Sequence, residues 1–271
     1  MVRARSAALL VRACHPGPTV AVTALAVLLA VAAGATLPWT LLVGLAVVSG
    51  QLTIGWSNDL LDVERDRRVH RYDKPLATGG LSTSTVRMAT IIALVVCLGG
   101  SSGLGPAAGL VHLVCVVGGG WAYNLGLKRT VVSFVPYAVS FGALPGVIQL
   151  SQHPTRLPPL WMLATGAVIG VAAHLVNALP DLADDASTGV VGLPHRLGER
   201  RARWSAALLL VGGSLLALTG PPGAAPGWAW VVLIVVVAVS MIIFAGNAKL
   251  PFLAALAVAV IDVVVLVVRS F

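Results

Sequence analysis

Residues 39–66 read WTLLVGLAVVSGQLTIGWSNDLLDVERD: an apolar run over 39–57 and then, without a break, Asn58-Asp59-Leu60-Leu61-Asp62-Val63-Glu64-Arg65-Asp66. The run suffices to cross a hydrocarbon layer of roughly 30 Å, which takes about 20 helical residues. The acidic stretch continues from the same helix where it meets water. A membrane span whose end is loaded with carboxylates sets both the fold class and the place to look for chemistry.

The rest of the chain agrees with that class. Of its 271 residues, 58% are hydrophobic and only 10% charged. This mixture excludes a soluble globule, and so much apolar surface excludes disorder. Further apolar runs bounded by Gly, Pro or charge lie at 17–35, 82–100, 103–123, 131–150, 159–180, 203–220, 227–245 and 251–269. The expectation is an all-α integral membrane protein: nine transmembrane helices in a bundle around a central cavity, one domain over 1–271. The first run follows Arg3, Arg5 and Arg12 and is read as a retained span, not a cleaved signal.

The net charge of +8 reports topology. A nucleic-acid reader gathers basic residues on a soluble module with aromatic platforms, and none is present, so no nucleic-acid partner is expected. With nine crossings, sixteen of the eighteen Lys and Arg fall on one side, from Arg3 to Lys249, leaving Arg156 and Arg269 on the other. That asymmetry places the N-terminus and the basic face in the cytoplasm, with the chain multi-pass in the cell membrane. Cys14, Cys97 and Cys115 lie in or beside apolar stretches without metal-site spacing and read as packing residues.

Nine of the ten carboxylates share the cytoplasmic side, Asp262 standing apart. A second cluster, Asn177-Ala178-Leu179-Pro180-Asp181-Leu182-Ala183-Asp184-Asp185, follows the sixth span as the first follows the second. At about 100° per residue, Asn58, Asp62 and Asp66 lie within roughly 80° of one another, as do Asn177, Asp181 and Asp185. Asn-x-x-x-Asp-x-x-x-Asp thus recurs 119 positions on, with Pro180 expected to bend the second stripe. Like charges so close, where a span meets water, need a positive partner. Oxygen ligands without His or Cys favour a hard cation such as Mg²⁺, which binds through one or two carboxylates plus substrate phosphates. Two such clusters facing each other would clamp a diphosphate. Glu64, Asp73 and Glu199 read instead as solvated loop carboxylates paired with neighbouring arginines.

Asn58-Asp59-x-x-Asp62-x-x-x-Asp66 resembles the first aspartate-rich motif of the UbiA superfamily of intramembrane prenyltransferases, and Asp181-x-x-x-Asp185 resembles its second. The likeness extends to Arg67, Arg68 and Arg71 followed by Lys74-Pro75-Leu76-Ala77-Thr78-Gly79, with lysine where the family has arginine. It also covers Tyr123 to Lys128, one residue longer than the family's Tyr-x-x-x-Lys, and Arg12 at the opening of the first helix. The resemblance implies ionisation of a polyprenyl diphosphate and transfer of the prenyl group to a small hydrophobic or aromatic acceptor such as a quinone precursor. It implies Mg²⁺ held by Asp62, Asp66, Asp181 and Asp185, with Asp59 and Asp184 in the same metal-binding clusters. Lys128 and Arg67 or Arg71 would bind phosphate, and Asn58, Asn177, Tyr123 and Arg12 the substrate. Membrane lipid surrounds the site.

One or two turns deeper, Gln51 lies about 20° from Asn58 and His174 about 60° from Asn177, so both are expected to face the cavity. His174 either orients or deprotonates an acceptor or is bonded to a neighbouring helix. Trp121, Tyr123, Tyr137 and Phe141 either wall the chamber or pack. His112 and His153 carry no supporting neighbours, and His195, next to Arg196, reads as solvated. Two rival functions use the same residues: a terpene cyclase that ionises the diphosphate without an acceptor, and a secondary transporter with charged residues along an ion path.

Overall fold

In the computed structural model, which describes residues 2–245 and 250–270, every predicted apolar run coincides with helix, and no strand occurs among the described residues. The helices are α1 (Val2–Ala13), α2 (Pro16–Ala32), α3 (Leu37–Arg68), α4 (Thr83–Gly103), α5 (Pro106–Val111), α6 (Gly118–Leu125), α7 (Val135–Leu150), α8 (Leu160–Ala178), α9 (Leu182–Ser187), α10 (Leu193–Leu197), α11 (Glu199–Thr219), α12 (Gly227–Met241) and α13 (Leu250–Ser270). Proline stands in the first turn of α2, α3, α5, α7 and α10, where its missing N–H has no helical partner to lose. Ser82 caps α4 by accepting the Thr85 N–H at 3.1 Å.

Among the described residues, six helices are long and apolar enough to cross a membrane: Leu37–Arg68, Thr83–Gly103, Pro106–Leu125, Leu160–Ser187, Glu199–Thr219 and Gly227–Phe244. Ser6–Ala13 with Pro16–Ala32 makes a further candidate, bent by 70°, and Val135–Leu150 and Leu250–Leu266 are shorter apolar helices. The chain is a multi-pass membrane protein. Six helices pass on length, fewer than the nine spans expected, because the first run is bent and α7 and α13 have shorter apolar stretches. The fourth predicted run is among the six, although a π-helical segment, His112–Val117, joins α5 to α6 within it.

The two acidic ends differ in local structure. α3 runs 32 residues, about 48 Å at 1.5 Å per residue, so its last turns carry Asn58 to Arg68 beyond the apolar layer as helix. Arg65, Arg67 and Arg68 in its last turn suit the negative end of the dipole. The second stripe is not one helix. α8 stops at Ala178, a 3₁₀ turn spans Leu179–Asp181, and α9 restarts at Leu182, because Pro180 has no N–H to donate and crowds the preceding turn.

One core gathers Val22, Ala26, Val43, Val47 and Val147 from α2, α3 and α7. Another gathers Leu175, Leu210, Val236 and Val258 from α8, α11, α12 and α13. α7 and α8 pack along each other. A Cβ on Gly166 would stand 2.4 Å from the Phe141 carbonyl and one on Gly170 2.5 Å from the Tyr137 carbonyl, so small residues let these backbones touch. A cavity of about 530 Å³ lies among α2, α3, α6, α7, α8 and α13.

Candidate active site

Packing brings the two acidic elements to one mouth. Asp62, from α3, accepts from Lys128 Nζ at 2.5 Å, and both side chains are buried. Lys128 reaches this point from the 3₁₀ turn Leu127–Arg129. Burial lowers its ammonium pKa, opposed by the nearby Asp62 charge. Arg65 joins the motifs: its guanidinium is 3.1 Å from Asp62 Oδ2, 3.2 Å from Asp66 Oδ1 and 3.7 Å from Asp185 Oδ1. Arg71 makes a second bridge, donating to Asp181 at 3.3 Å while gripping both oxygens of Asp73 at 2.9 Å. That bidentate contact holds the Asp73 carboxyl below the usual range.

Of the residues singled out from sequence, Arg12, Gln51, Asn58, Asp62, Arg71, Tyr123, Lys128, Asn177, Asp181 and Asp185 line the cavity. Asn58 donates to Asn124 Oδ1 at 3.1 Å, and Asn124 is fixed in turn by donating to Ile54 O at 2.8 Å and Ser57 Oγ at 3.0 Å. Asn177 donates to Tyr137 at 3.3 Å. Asp66 is buried beside the mouth with Arg65.

Four residues stand elsewhere. Asp59, 1% exposed, is not among the cavity-lining residues; it receives Lys74 at 2.5 Å and His15 at 3.0 Å, both of which line the cavity. Two partners from outside its helix hold it there. Asp184 is exposed on the outer side of α9. Arg67 pairs with Glu64 at 2.8 Å, since it lies about 140° around α3 from Asp62. His174 is buried behind Tyr123 and Tyr137. Its Nε2 meets Ser133 Oγ at 3.0 Å, so the reading as a histidine bonded to a neighbouring element holds. Tyr123, Tyr137 and Phe141 line the cavity, whereas Trp121 donates to Thr53. His112, described as lacking neighbours, meets Ser101 Oγ at 2.7 Å.

Sequence reading missed Arg65, His15, Asn124 and His195. Arg65 stands at helical i,i+3 spacing from Asp62 and next to Asp66, and His195 next to an arginine; neither spacing signals Asp185, the distant carboxylate each faces. His15 carries the one visible signal, a histidine just before Pro16 at a helix start. It takes a left-handed backbone (φ 57°) at the bend between α1 and α2, strain typical of sites that the surroundings over-determine.

A model of the UbiA prenyltransferase family matches residues 20–261. The chain belongs to this family. Naringenin 8-dimethylallyltransferase 2, chloroplastic, from Sophora flavescens is 27% identical over 168 residues, which is 56% of this chain and 41% of that protein. The chain thus spans less than half the length of that relative. The apo structure of a UbiA homolog from Aeropyrum pernix K1 superposes with a TM-score of 0.74 at 17% identity, covering 93% of this chain and 98% of the other. A UbiA homolog from Archaeoglobus fulgidus, bound to GPP and Mg²⁺, gives 0.71 at 18%, covering 95% and 98%. At such identities the likeness speaks for a shared UbiA fold.

Proposed function

We propose that the chain is an intramembrane prenyltransferase that ionises a polyprenyl diphosphate and passes the prenyl group to a small aromatic or quinone-precursor acceptor. One observation carries this reading: carboxylates from two distant elements share Arg65 at the mouth of a cavity whose depth is apolar, with Leu25, Leu144, Ile169 and Ala259 among its lining. The family, the dimethylallyltransferase relative and the neighbour bound to GPP and Mg²⁺ support it.

The donor set suits Mg²⁺. Asp62, Asp66, Asp181 and Asp185 offer only oxygen, and three of them already surround one shared cation, Arg65. Among the described residues no three His, Cys, Asp or Glu groups converge closely enough to hold a metal alone. Mg²⁺ characteristically binds through one or two carboxylates and completes its shell with substrate phosphates. When bound, Mg²⁺ offsets the charge that builds on the departing diphosphate. Lys128 and Arg71 stand at the same mouth to bind phosphate oxygens, and their fixed charges need no reorganisation as the bond breaks. Deeper down, apolar walls keep water from the allylic cation, and Tyr123, Tyr137 and Phe141 offer ring faces to it. Gln51, also on the cavity wall, is placed to hydrogen-bond an acceptor.

The topology belonging to this reading has nine crossings, with the N-terminus and the carboxylate face toward the cytoplasm of the cell membrane and lipid around the bundle. The one-sided Lys and Arg distribution supports it. Of the residues counted there, Lys249 lies outside the described residues.

The decisive experiment incubates purified protein with Mg²⁺ and a panel of prenyl diphosphates, with and without phenolic acceptors, followed by mass analysis of the lipid products. Prenylated acceptor is expected. A cyclic hydrocarbon or alcohol from donor alone would establish a cyclase, and no diphosphate release under any condition would end the proposal.

A further inference from the structure

The segment after α9 folds back onto the turn that carries Lys128. Gly192 permits this, because a Cβ there would lie 2.7 Å from both the Lys128 carbonyl and Ser133 Oγ. The next residue, Leu193, donates its N–H to Ser133 Oγ at 2.8 Å. Docked in this way, α10 carries His195 into the protein, its side chain 7% exposed. His195 Nδ1 accepts the Gly192 N–H at 3.2 Å. A ring nitrogen that accepts carries no proton, so the neutral imidazole keeps its hydrogen on Nε2.

That Nε2 has no hydrogen-bond partner and stands 3.8 Å from Asp185 Oδ2. The other oxygen, Oδ1, is 3.7 Å from Arg65 Nη1. Asp185 therefore sits between a cation at the cavity mouth and an unsatisfied donor in the protein wall.

We propose that His195 is the positioning residue for Asp185: its Nε2–H takes Oδ2 once the carboxylate moves about 1 Å toward it, leaving Oδ1 turned to the mouth. This rests on reading Asp185 as a ligand of the diphosphate's metal. A carboxylate held by one oxygen presents the other in a single orientation. Loss of such an outer partner lowers metal affinity on the order of 10–100-fold. His195 itself touches neither metal nor substrate.

The test uses the purified full chain in detergent, with Mn²⁺ binding followed by electron paramagnetic resonance in the presence of inorganic pyrophosphate. In His195→Asn the shorter amide reaches the Nδ1 position, preserving the Gly192 contact, but falls short of Asp185. In His195→Gln the amide reaches the Nε2 position. H195N is expected to weaken Mn²⁺ binding about tenfold, and H195Q to stay within about threefold of the unmodified chain. In an Asp185→Asn background H195N should cost nothing further, because the partner is already gone. Equal weakening by Asn and Gln, no weakening by Asn, or the same loss in the Asp185→Asn background overturns the positioning role. Should H195N not fold, H195Q decides alone: retained binding is expected, and a tenfold loss overturns. Failure of the unmodified chain to bind Mn²⁺ with pyrophosphate overturns the reading of the carboxylates themselves.

Discussion

Lys128 Nζ and Asp62 Oδ2 meet at 2.5 Å with both side chains buried, joining the turn after α6 to the acidic end of α3. Each charge is the other's compensation. Lys128→Met should therefore destabilise the protein by about 3–5 kcal/mol, the cost of leaving one buried charge unpaired. Adding Asp62→Leu should recover most of that stability while activity stays lost. Thermal unfolding of the two single variants and the double variant measures the coupling; additive losses would mean that the pair does not act as a unit.

Arg65 holds Asp62, Asp66 and Asp185 together. Arg65→Gln should lower the unfolding temperature of the metal-free protein, since three carboxylates then lack their shared cation. The rise in unfolding temperature on adding Mg²⁺ with pyrophosphate should exceed that of the unmodified chain, because more repulsion is relieved. An equal rise would show that Arg65 does not occupy the position a metal would neutralise.

Leu25, Ile169 and Ala259, packed with Val263, close part of the cavity's depth. Ile169 lies eight residues before Asn177 in α8, about 12 Å along the axis. Leu25→Ala or Ile169→Ala should shift donor preference toward longer prenyl diphosphates, read as the ratio of kcat/KM for two chain lengths. Each substitution removes three side-chain carbons, and a single methylene of pocket space already changes such ratios by about 10–200-fold. An unchanged ratio would place the tail elsewhere.

Asp73 contributes an acid-dependent share of stability. Its folded pKa is held down by Arg71, so this share is present above the ordinary carboxyl value near 3.9. It is lost as pH falls through the lowered folded value. Asp73→Asn should therefore flatten the decline of unfolding temperature below about pH 4. With 60% of the Asp73 side chain exposed, the difference should shrink at high salt.

The acidic helix ends, the bend at Pro180 and the cavity position of Gln51 were all legible in the chain, because each follows from local rules of hydropathy, helical phase and proline chemistry. Asp59 shows where that reasoning stops. Its phase on α3 places it close to Asp62, yet it is partnered by Lys74 from the following loop and His15 from the bend, which line the cavity where it does not. His174 likewise has the phase of a cavity residue, and Ser133, together with the rings of Tyr123 and Tyr137, holds it behind the lining.

The order of residues alone determined that this chain forms apolar helices, where two of them turn acidic, and which family it enters, since these depend on neighbours a few positions apart. Only the tertiary structure decided which carboxylate meets Lys128, which share Arg65 and which faces His195. Those partners come from elements far apart in the chain, and the interactions among charges act over a few ångströms of space that helix packing alone creates.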